Sequence, residues 1–218
     1  MSDSNLSSSN NTQNCDTVAK KLYVKYMVCL QDKLTAKSIL DEQGLTYSTS
    51  IHGAIEIFEG TTKVQIHELR KSLSRSGLVL LEEKESMLID RIINLIIEVI
   101  HYTDELPKIS FADFISEYAG SGKESILKIF SDVKGMSILQ FIVLQKIERA
   151  KELLIYDDLP LLEIAKKLNY KNEDYLTAQF KKTTGLTPDY FRRLKRERDS
   201  VSQSSTSSSQ PGVTEVSY

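Results

Sequence analysis

The chain has 218 residues, of which 40% are hydrophobic and 27% are charged, and its formal net charge is −2. This length predicts one or two domains, and the composition excludes an intrinsically disordered chain, a collagen and a membrane protein. The 28 basic and 30 acidic side chains nearly balance, so the total charge alone indicates no polyanionic partner.

The sequence also shows no targeting or membrane signal. Residues 1–16 are rich in Ser and Asn and have neither a basic start nor an apolar run, unlike a secretory signal. The most apolar stretch, residues 87–100, contains charged residues and is shorter than the ~20 residues of a membrane span. Two cysteines, Cys15 and Cys29, are too few for a disulfide framework. We therefore predict a cytoplasmic protein that contacts no membrane.

The predicted fold is of the α+β class and has four segments. Residues 1–19 and the Ser-rich residues 200–218 have little to bury and are predicted to be disordered tails. Residues 20–84 alternate strand and helix patterns, whereas residues 85–199 are predicted to be helical throughout.

The first folded segment has the element order of a ferredoxin-like βαββαβ domain. A strand (21–28), a helix that ends at Gly44, a hairpin around residues 51–53, a second helix that ends at Gly77 and a last strand (78–83) follow one another. Two β-α-β units within about 65 residues are typical of that fold.

The helical segment begins with a very apolar helix, predicted over residues 87–100. Its apolar residues cover nearly the whole circumference, which predicts burial on several sides. Ordinary core burial, a position between the two domains and a dimer interface are all compatible with this pattern.

An internal repeat with an offset of fifty residues runs through the helical segment. Four residues of the first copy recur in order in the second: Phe130, Gly135, Ser137 and Phe141 match Phe180, Gly185, Thr187 and Phe191. Several matches in one register indicate two copies of one unit. In the second copy, a short helix leads to a turn at Asn169, and a helix over about 172–184 follows. That helix buries Phe180 together with either Tyr175 or Leu176, a pattern typical of a helix-turn-helix.

The second copy is also the basic part of the chain. Between residues 159 and 198 there are ten basic and five acidic residues, which leaves a net charge of +5. Neutralising phosphates and releasing counterions supplies most non-specific affinity for DNA, so this segregation favours a nucleic-acid surface. The alternative is a small helical bundle whose lysines are simply solvated.

An ordered motif extends through the same copy. It consists of Ile164-Ala165-x2-Leu168-x-Tyr170, followed by Tyr175-Leu176-x3-Phe180-Lys181-Lys182-x2-Gly185-x-Thr187-Pro188-x2-Phe191-Arg192. This motif resembles the DNA-binding domain of AraC/XylS-type transcriptional regulators, and the resemblance covers about residues 86–198. The stretch Lys146-Ile147-x2-Ala150-x2-Leu153-Leu154 is similar to the helix that joins the two units of that domain.

The resemblance implies a sequence-specific DNA-binding transcriptional regulator whose two helix-turn-helix units read successive major grooves. It implies double-stranded DNA as the partner, with RNA polymerase and a second copy of the chain (a homodimer) as further candidate partners. The sequence departs from the family at Asn169, where Gly is usual, and at Ala178, where a polar residue such as Arg is common.

Candidate contact residues follow from the resemblance and the predicted helices. The candidates for base contacts are Ser125, Lys128, Glu173 and Thr177. The candidates for phosphate contacts are Lys123, Lys171, Lys181, Lys182, Arg192 and Arg193. The acids at the start of the second recognition helix, Glu173 and Asp174, either accept from cytosine N4 or cap the helix, and we favour the cap. Because residues 108–134 carry no net charge, we predict that the second unit dominates the salt dependence of binding.

The first strand ends in Met27-Val28-Cys29, which, with the βαββαβ order, resembles heavy-metal-associated domains. Those domains carry C-x2-C, whereas Asp32 occupies the second position here. Soft metals require paired thiolates, and the three histidines are scattered, so we predict no metal site.

No catalytic motif is present either, which predicts a protein that is not an enzyme and uses no cofactor. Two alternative functions remain: a metal or small-ligand binding protein whose helical domain makes protein contacts only, and a protein-interaction adaptor.

Overall fold

The computed structural model describes residues 20–206 except 51–52, 59, 104–105, 107–112, 114, 116 and 118–122, and it leaves out the side chains of Lys123 and of residues 202–206. The chain divides into two units, residues 1–87 and residues 88–218. The sequence-based boundary, after residue 84, lies nearby. As a whole the chain is mostly helical with a small amount of sheet. Within the described residues, none of the helices combines the length and the apolar character that crossing a membrane requires.

The first unit contains five short strands and two helices within its described part. They are β1 (Lys20–Leu22), β2 (Val24–Lys25), α1 (Leu30–Glu42), β3 (Tyr47–Thr49), β4 (Ile55–Ile57), α2 (Lys63–Arg75) and β5 (Val79–Leu80). Strand β4 lies between β1 and β3 in an antiparallel sheet, and β2 pairs antiparallel with β5.

Two of the predicted strands are longer than the observed ones. The strand predicted over residues 21–28 ends at Lys25, because Tyr26 adopts a left-handed backbone with φ of 68°. The strand predicted over residues 78–83 is limited to Val79–Leu80, because a helix already begins at Glu83.

Both predicted helix ends in this unit fall at glycine. Gly44 and Gly77 have φ of 63° and 77°, the left-handed conformation that follows many helices. The two helices and the strands enclose an apolar core. Its buried members are Leu22, Val24, Ala36, Leu40, Leu45, Ile55, Ile57, Leu69, Leu73, Leu78 and Leu80.

Helix α3 (Glu83–Tyr102) contains the boundary between the two units. Its buried apolar residues are Ile89, Ile92, Ile93, Leu95, Ile96, Val99 and Ile100. Met87, Arg91, Asn94 and Glu98 are exposed at helical spacing on the opposite side. The helix is therefore amphipathic with one broad apolar face, and the prediction of burial on several sides was wrong.

Five further helices are described in full in the second unit. They are α4 (Lys123–Lys134), α5 (Ile138–Ile155), α6 (Leu161–Lys167), α7 (Glu173–Thr184) and α8 (Pro188–Thr206). Their core includes Ile147, Ala150, Leu153, Leu154, Ile164, Ala165, Leu168, Leu176 and Phe180.

Helix α8 extends beyond the predicted end of the folded part. It continues to Thr206, so residues 200–206 are helical rather than part of a disordered tail over 200–218. Ion pairs one turn apart, Arg193 with Glu197 and Lys195 with Asp199, support this solvated helix. The predicted tail at 1–19 and the remainder at 207–218 lie outside the described residues.

Candidate nucleic-acid interface

The second helices of the two predicted copies have equivalent boundaries. Helix α4 covers residues 123–134 and α7 covers residues 173–184, an offset of fifty residues at both ends. Gly135 and Gly185 follow these helices with φ of 65° and 78°. Each next helix begins with a hydroxyl cap: Ser137 Oγ accepts from Gln140 N at 3.2 Å, and Thr187 Oγ1 accepts from Tyr190 N at 3.3 Å. The repeat predicted from the sequence is confirmed.

An aromatic pair fixes the third helix of each copy against the second. Phe130 packs on Phe141 and Phe180 packs on Phe191, in both cases with ring centroids 5.5 Å apart and planes inclined by 61° and 67°. Edge-to-face pairs of this kind add to the stabilisation from burial alone. The matching geometry shows that the two copies share one packing arrangement.

The turn between α6 and α7 begins at Asn169. Its φ is 51°, a left-handed conformation that Asn tolerates better than most residues. Tyr170 N donates to Ala165 O at 2.8 Å, and Asn169 Nδ2 donates to Leu106 O at 3.3 Å. A residue other than Gly therefore fits this turn, and its side chain also fastens the turn to a neighbouring segment.

Asn172 is the N-cap of α7. Its Oδ1 accepts from Tyr175 N at 2.9 Å. This side chain makes the N-cap hydrogen bond that was predicted for Glu173 and Asp174, so that part of the prediction was wrong. Both acids do lie in the first turn of α7, where negative charge interacts favourably with the helix dipole. Among the described residues, no ion pair or hydrogen bond of a side chain engages Asp174, which is exposed.

The exposed side of α7, termed the α7 face, lies opposite its buried residues. Leu176 is 0% exposed whereas Tyr175 is 58% exposed, so Leu176 is the core residue next to Phe180. The α7 face consists of Asp174, Tyr175, Ala178, Lys181 and Lys182, all of them exposed. Ala178, Lys181 and Lys182 follow Asp174 by four, seven and eight residues, which is the spacing of one helix face, and Tyr175 lies next to Asp174. The predicted base contacts Glu173 and Thr177 are half-buried and lie beside this face.

Helix α4 presents a corresponding surface, termed the α4 face. Glu124, Ser125 and Lys128 are exposed, at the positions that correspond to Asp174, Tyr175 and Ala178. The structure thus brings the predicted base contacts Ser125 and Lys128 to one face. The backbone of Lys123 is in the first turn of α4, and its side chain lies outside the description.

The predicted phosphate contacts have different surroundings. Lys171, Lys181 and Lys182 are exposed, and within the described part of the chain no ion pair engages them. Arg193 is also exposed and lies over the Tyr190 ring, 4.7 Å from its centroid, with Glu197 at 3.8 Å.

Arg192 lies in different surroundings from the rest of that set. Its Nη2 donates to Leu159 O at 2.6 Å, its Nε lies 3.5 Å from Asp158 Oδ1, and its side chain is only 21% exposed. The guanidinium is held by contacts within the domain, where a phosphate has little access. The sequence could not show this, because the acceptor is 33 residues away.

Lys146 on α5 connects this helix to the turn of the second copy. Its Nζ donates to Leu168 O at 2.8 Å and lies 5.4 Å from the centroid of the Tyr170 ring. Burial lowers the pKa of Lys146 to about 8 and raises the pKa of Tyr170 to about 12. The Tyr170 hydroxyl is buried and finds no hydrogen-bond partner among the described residues.

Comparison with known proteins agrees with this geometry. Residues 115–194 match the family model of the helix-turn-helix domain. The second unit carries a helix-turn-helix domain. The F1 operon positive regulatory protein of Yersinia pestis is 32% identical over 98 residues, which cover 44% of this chain and 33% of that protein. The uncharacterized HTH-type transcriptional regulator YtdP of Bacillus subtilis is 31% identical over 101 residues, which cover 46% of this chain and 13% of that protein.

A further relative and a solved structure are also similar to this chain. The HTH-type transcriptional regulator ExsA of Pseudomonas aeruginosa is 29% identical over 97 residues, 44% of this chain and 34% of that protein. The C-terminal domain of AraT, a response regulator from Geobacillus stearothermophilus, is 23% identical with a TM-score of 0.43 over 49% of this chain and 84% of that one. The chain therefore spans about a third or less of the curated relatives' length.

The helix-turn-helix domain lies outside the first unit, whose resemblance to heavy-metal-associated domains is not confirmed. Cys29 is exposed, and the backbone N–H groups of Val28 and Cys29 donate to Asp32 Oδ2 at 3.0 and 2.8 Å. Hydrogen bonds from the side chain and backbone of Cys29 lower the pKa of Asp32. Asp32 thus closes the start of α1, at the position where a second thiolate would be needed. No group of His, Cys, Asp and Glu side chains suited to a metal ion occurs in the described parts of the chain.

Proposed function

We propose that the protein is a sequence-specific DNA-binding transcriptional regulator of the AraC/XylS type. The observation that carries this proposal is the duplicated packing of α4 on α5 and of α7 on α8, in which an equivalent aromatic pair fixes α4 and α7 and each of them has one exposed face. A second helix that is buried on one side and exposed on the other is the element that enters the major groove in such domains.

The charge distribution supports the same function. The exposed lysines of the second copy, Lys171, Lys181 and Lys182, lie at the start and the end of α7, and the region from 159 to 198 has a net charge of +5. Lysines at both ends of an inserted helix can neutralise phosphates on either side of a groove. The names of the curated relatives, which include transcriptional regulators and a positive regulatory protein, agree with this role.

In this proposal the two exposed faces contact bases and the surrounding cations contact phosphate. Ser125 and Lys128 contribute from the α4 face, while Glu173 and Thr177 contribute from the flank of α7. The phosphate contacts are Lys123, Lys171, Lys181, Lys182 and Arg193. RNA polymerase and a second copy of the chain are the further partners that the family resemblance implies.

We also propose that the first unit is a ferredoxin-like domain. Strands β1 and β2 follow each other with only Tyr23 between them, so they can be counted as one strand. That strand pairs with β4 through its first half and with β5 through its second, and β4 also pairs with β3. The resulting antiparallel order, with the first strand next to both the third and the last, supports a βαββαβ sandwich.

Binding to labelled random-sequence duplexes, measured by fluorescence anisotropy, tests the function directly. We expect the full chain to bind at low ionic strength and to lose affinity steeply between about 50 and about 200 mM salt. Selection of the bound sequences should enrich two tracts whose centres lie ~10 base pairs apart, one turn of DNA.

Two double variants with equal loss of charge provide the control. Lys181→Ala/Lys182→Ala removes two exposed lysines from the α7 face, whereas Lys33→Ala/Lys37→Ala removes two exposed lysines from α1 in the first unit. Only the former should weaken DNA binding strongly. Absence of duplex binding by the unmodified chain at low ionic strength would contradict the proposed function.

A further inference from the structure

We propose that the two helix-turn-helix units recognise chemically different base edges. The α4 face selects guanine through Lys128, and the α7 face selects a pyrimidine through Asp174 and Ala178. This inference rests on the proposed function and extends it to the kind of sequence that each unit prefers.

Each residue of α4 has a counterpart fifty positions later in α7. Helices α4 and α7 have the same length and are followed by the same Gly, hydroxyl cap and aromatic pair. A residue in α4 and the residue fifty positions later therefore occupy the same place relative to the frame of their unit. Lys128 corresponds to Ala178 in this sense, at the middle of each exposed face.

Lys128 is suited to guanine. Its side chain is exposed, and no ion pair within the described residues occupies it, although Glu124 precedes it by one helical turn. In the major groove, guanine alone presents two adjacent acceptors, O6 and N7, and an ammonium group pairs with both. Ser125, one turn before Lys128 on the same face, can donate to or accept from either kind of base pair and adds little discrimination.

The α7 face has no cation at the corresponding place. Ala178 presents only a methyl group there, which can contact the C5-methyl of thymine but cannot donate to a purine. Lys181 and Lys182 lie one turn further along, in the last turn of the helix. We assign them to the phosphate backbone, which explains why the unit with more charge need not be the unit that selects guanine.

Asp174 acts together with Ala178. Helix α4 has an acid at the corresponding position, Glu124, but Lys128 follows it by one turn, whereas Ala178 follows Asp174 at that distance. Its carboxylate is exposed in the first turn of α7, and the cap that would otherwise occupy it is made by Asn172. A carboxylate accepts from the N4 amino group of cytosine, whereas it is repelled by the O6 and N7 acceptors of guanine. Asp174 and Ala178 therefore favour cytosine or thymine and disfavour guanine on the strand that they contact.

A reciprocal exchange tests the inference on the full-length protein. Lys128→Ala and Ala178→Lys each convert one face to the chemistry of the other at an exposed helical position. Asp174→Asn removes the carboxylate while it keeps the shape. Each variant is subjected to selection from random duplexes and to anisotropy titrations with duplexes that carry single base changes, with Lys37→Ala as the control.

The unmodified protein should enrich one tract that contains a required guanine and one that contains a required pyrimidine. Lys128→Ala should remove the guanine preference, worth about 5- to 150-fold, from the first tract only. Ala178→Lys should introduce a guanine preference into the second tract, and Asp174→Asn should remove a preference for cytosine there.

The outcomes separate this inference from the function on which it rests. Duplex binding with base preferences unchanged in both Lys128→Ala and Ala178→Lys would overturn the inference and leave the DNA-binding function intact. A required guanine in both tracts of the unmodified protein would also overturn it. Failure of the unmodified chain to bind any duplex would overturn both.

Discussion

The helix-turn-helix unit around α4 and the unit around α7 agree at buried positions and differ at exposed ones. Ile126 and Phe130 correspond to Leu176 and Phe180, and all four are buried. By contrast, Lys128 corresponds to Ala178, and Ser125 corresponds to Tyr175, all four of them exposed. A close-packed interior restricts which side chains fit, whereas a solvated face can change without cost to the fold. Duplication has thus kept one frame and left two surfaces with different chemistry.

The largest effect that we predict concerns the shared frame. Phe130→Ala and Phe180→Ala should each lower the free energy of unfolding by ~3–5 kcal/mol, because each ring is fully buried in an equivalent aromatic pair. Urea denaturation followed by circular dichroism measures both, with Tyr175→Ala as an exposed control. A small cost for one ring beside a large cost for the other would show that the two frames are not equivalent.

A smaller effect should distinguish two neighbouring arginines of the second helix-turn-helix copy. Arg192→Ala should lower the free energy of unfolding by ~1–3 kcal/mol, since it leaves the Leu159 carbonyl without its donor. Arg193→Ala should change it by less than ~0.5 kcal/mol, because that side chain is exposed. The first helix-turn-helix copy has the buried Ile142 at the position of Arg192, so this contact belongs to the second copy alone. Equal unfolding energies for the two variants would contradict the internal role of Arg192.

The difference in surface charge should appear in the salt dependence of DNA binding. Lys181→Ala/Lys182→Ala should reduce the slope of log K against log salt by ~2, and Lys128→Ala should reduce it by no more than ~1. Anisotropy titrations at several salt concentrations give both slopes. If Lys128→Ala lowered the affinity more than the double variant, the second helix-turn-helix copy would not make the larger electrostatic contribution to DNA binding.

The smallest effect concerns the pH dependence of stability that arises at the turn between α6 and α7. The pKa of Lys146 is about 8 in the folded protein and 10.5 as its ordinary value, so the unfolded chain binds more protons between these limits. The free energy of unfolding should therefore rise with pH from about 8 to about 9.5, by at most ~1.4 kcal/mol per unit from this group. Lys146→Met should lack this rise in urea denaturation at several pH values. Parallel pH profiles for the two proteins would show that Lys146 is not desolvated.

The parts of this structure that sequence analysis could foresee are those fixed by local patterns. The fifty-residue repeat, the glycines after helices and the hydroxyl cap at Thr187 were all recognisable, because burial and backbone geometry limit the residues allowed there. The family resemblance added the order of the helices. The capping role of Asn172 also has a local signal, an Asn directly before an acidic first turn.

Other features depend on contacts that a local pattern does not contain. Tyr175 and Leu176 are adjacent and both apolar, so a shift of one residue moves the exposed face of α7 by about 100°, and the sequence alone does not decide between the two positions. The internal role of Arg192 depends on a carbonyl 33 residues away. The strand predicted over 21–28 was too long, because its β-branched and aromatic composition does not indicate the left-handed backbone at Tyr26.

Helix α5 has a consequence for the spacing of the two DNA tracts. Its first turns hold Phe141 against Phe130 of the first helix-turn-helix copy. Lys146 and Ile147 contact the turn and the core of the second copy, so one continuous 18-residue helix connects the two copies. A single base pair inserted between the tracts would rotate one of them by about 35° around the duplex axis. A continuous helix contains no loop at which it could bend to follow this rotation. Operators with altered spacing should consequently be bound through one tract at a time.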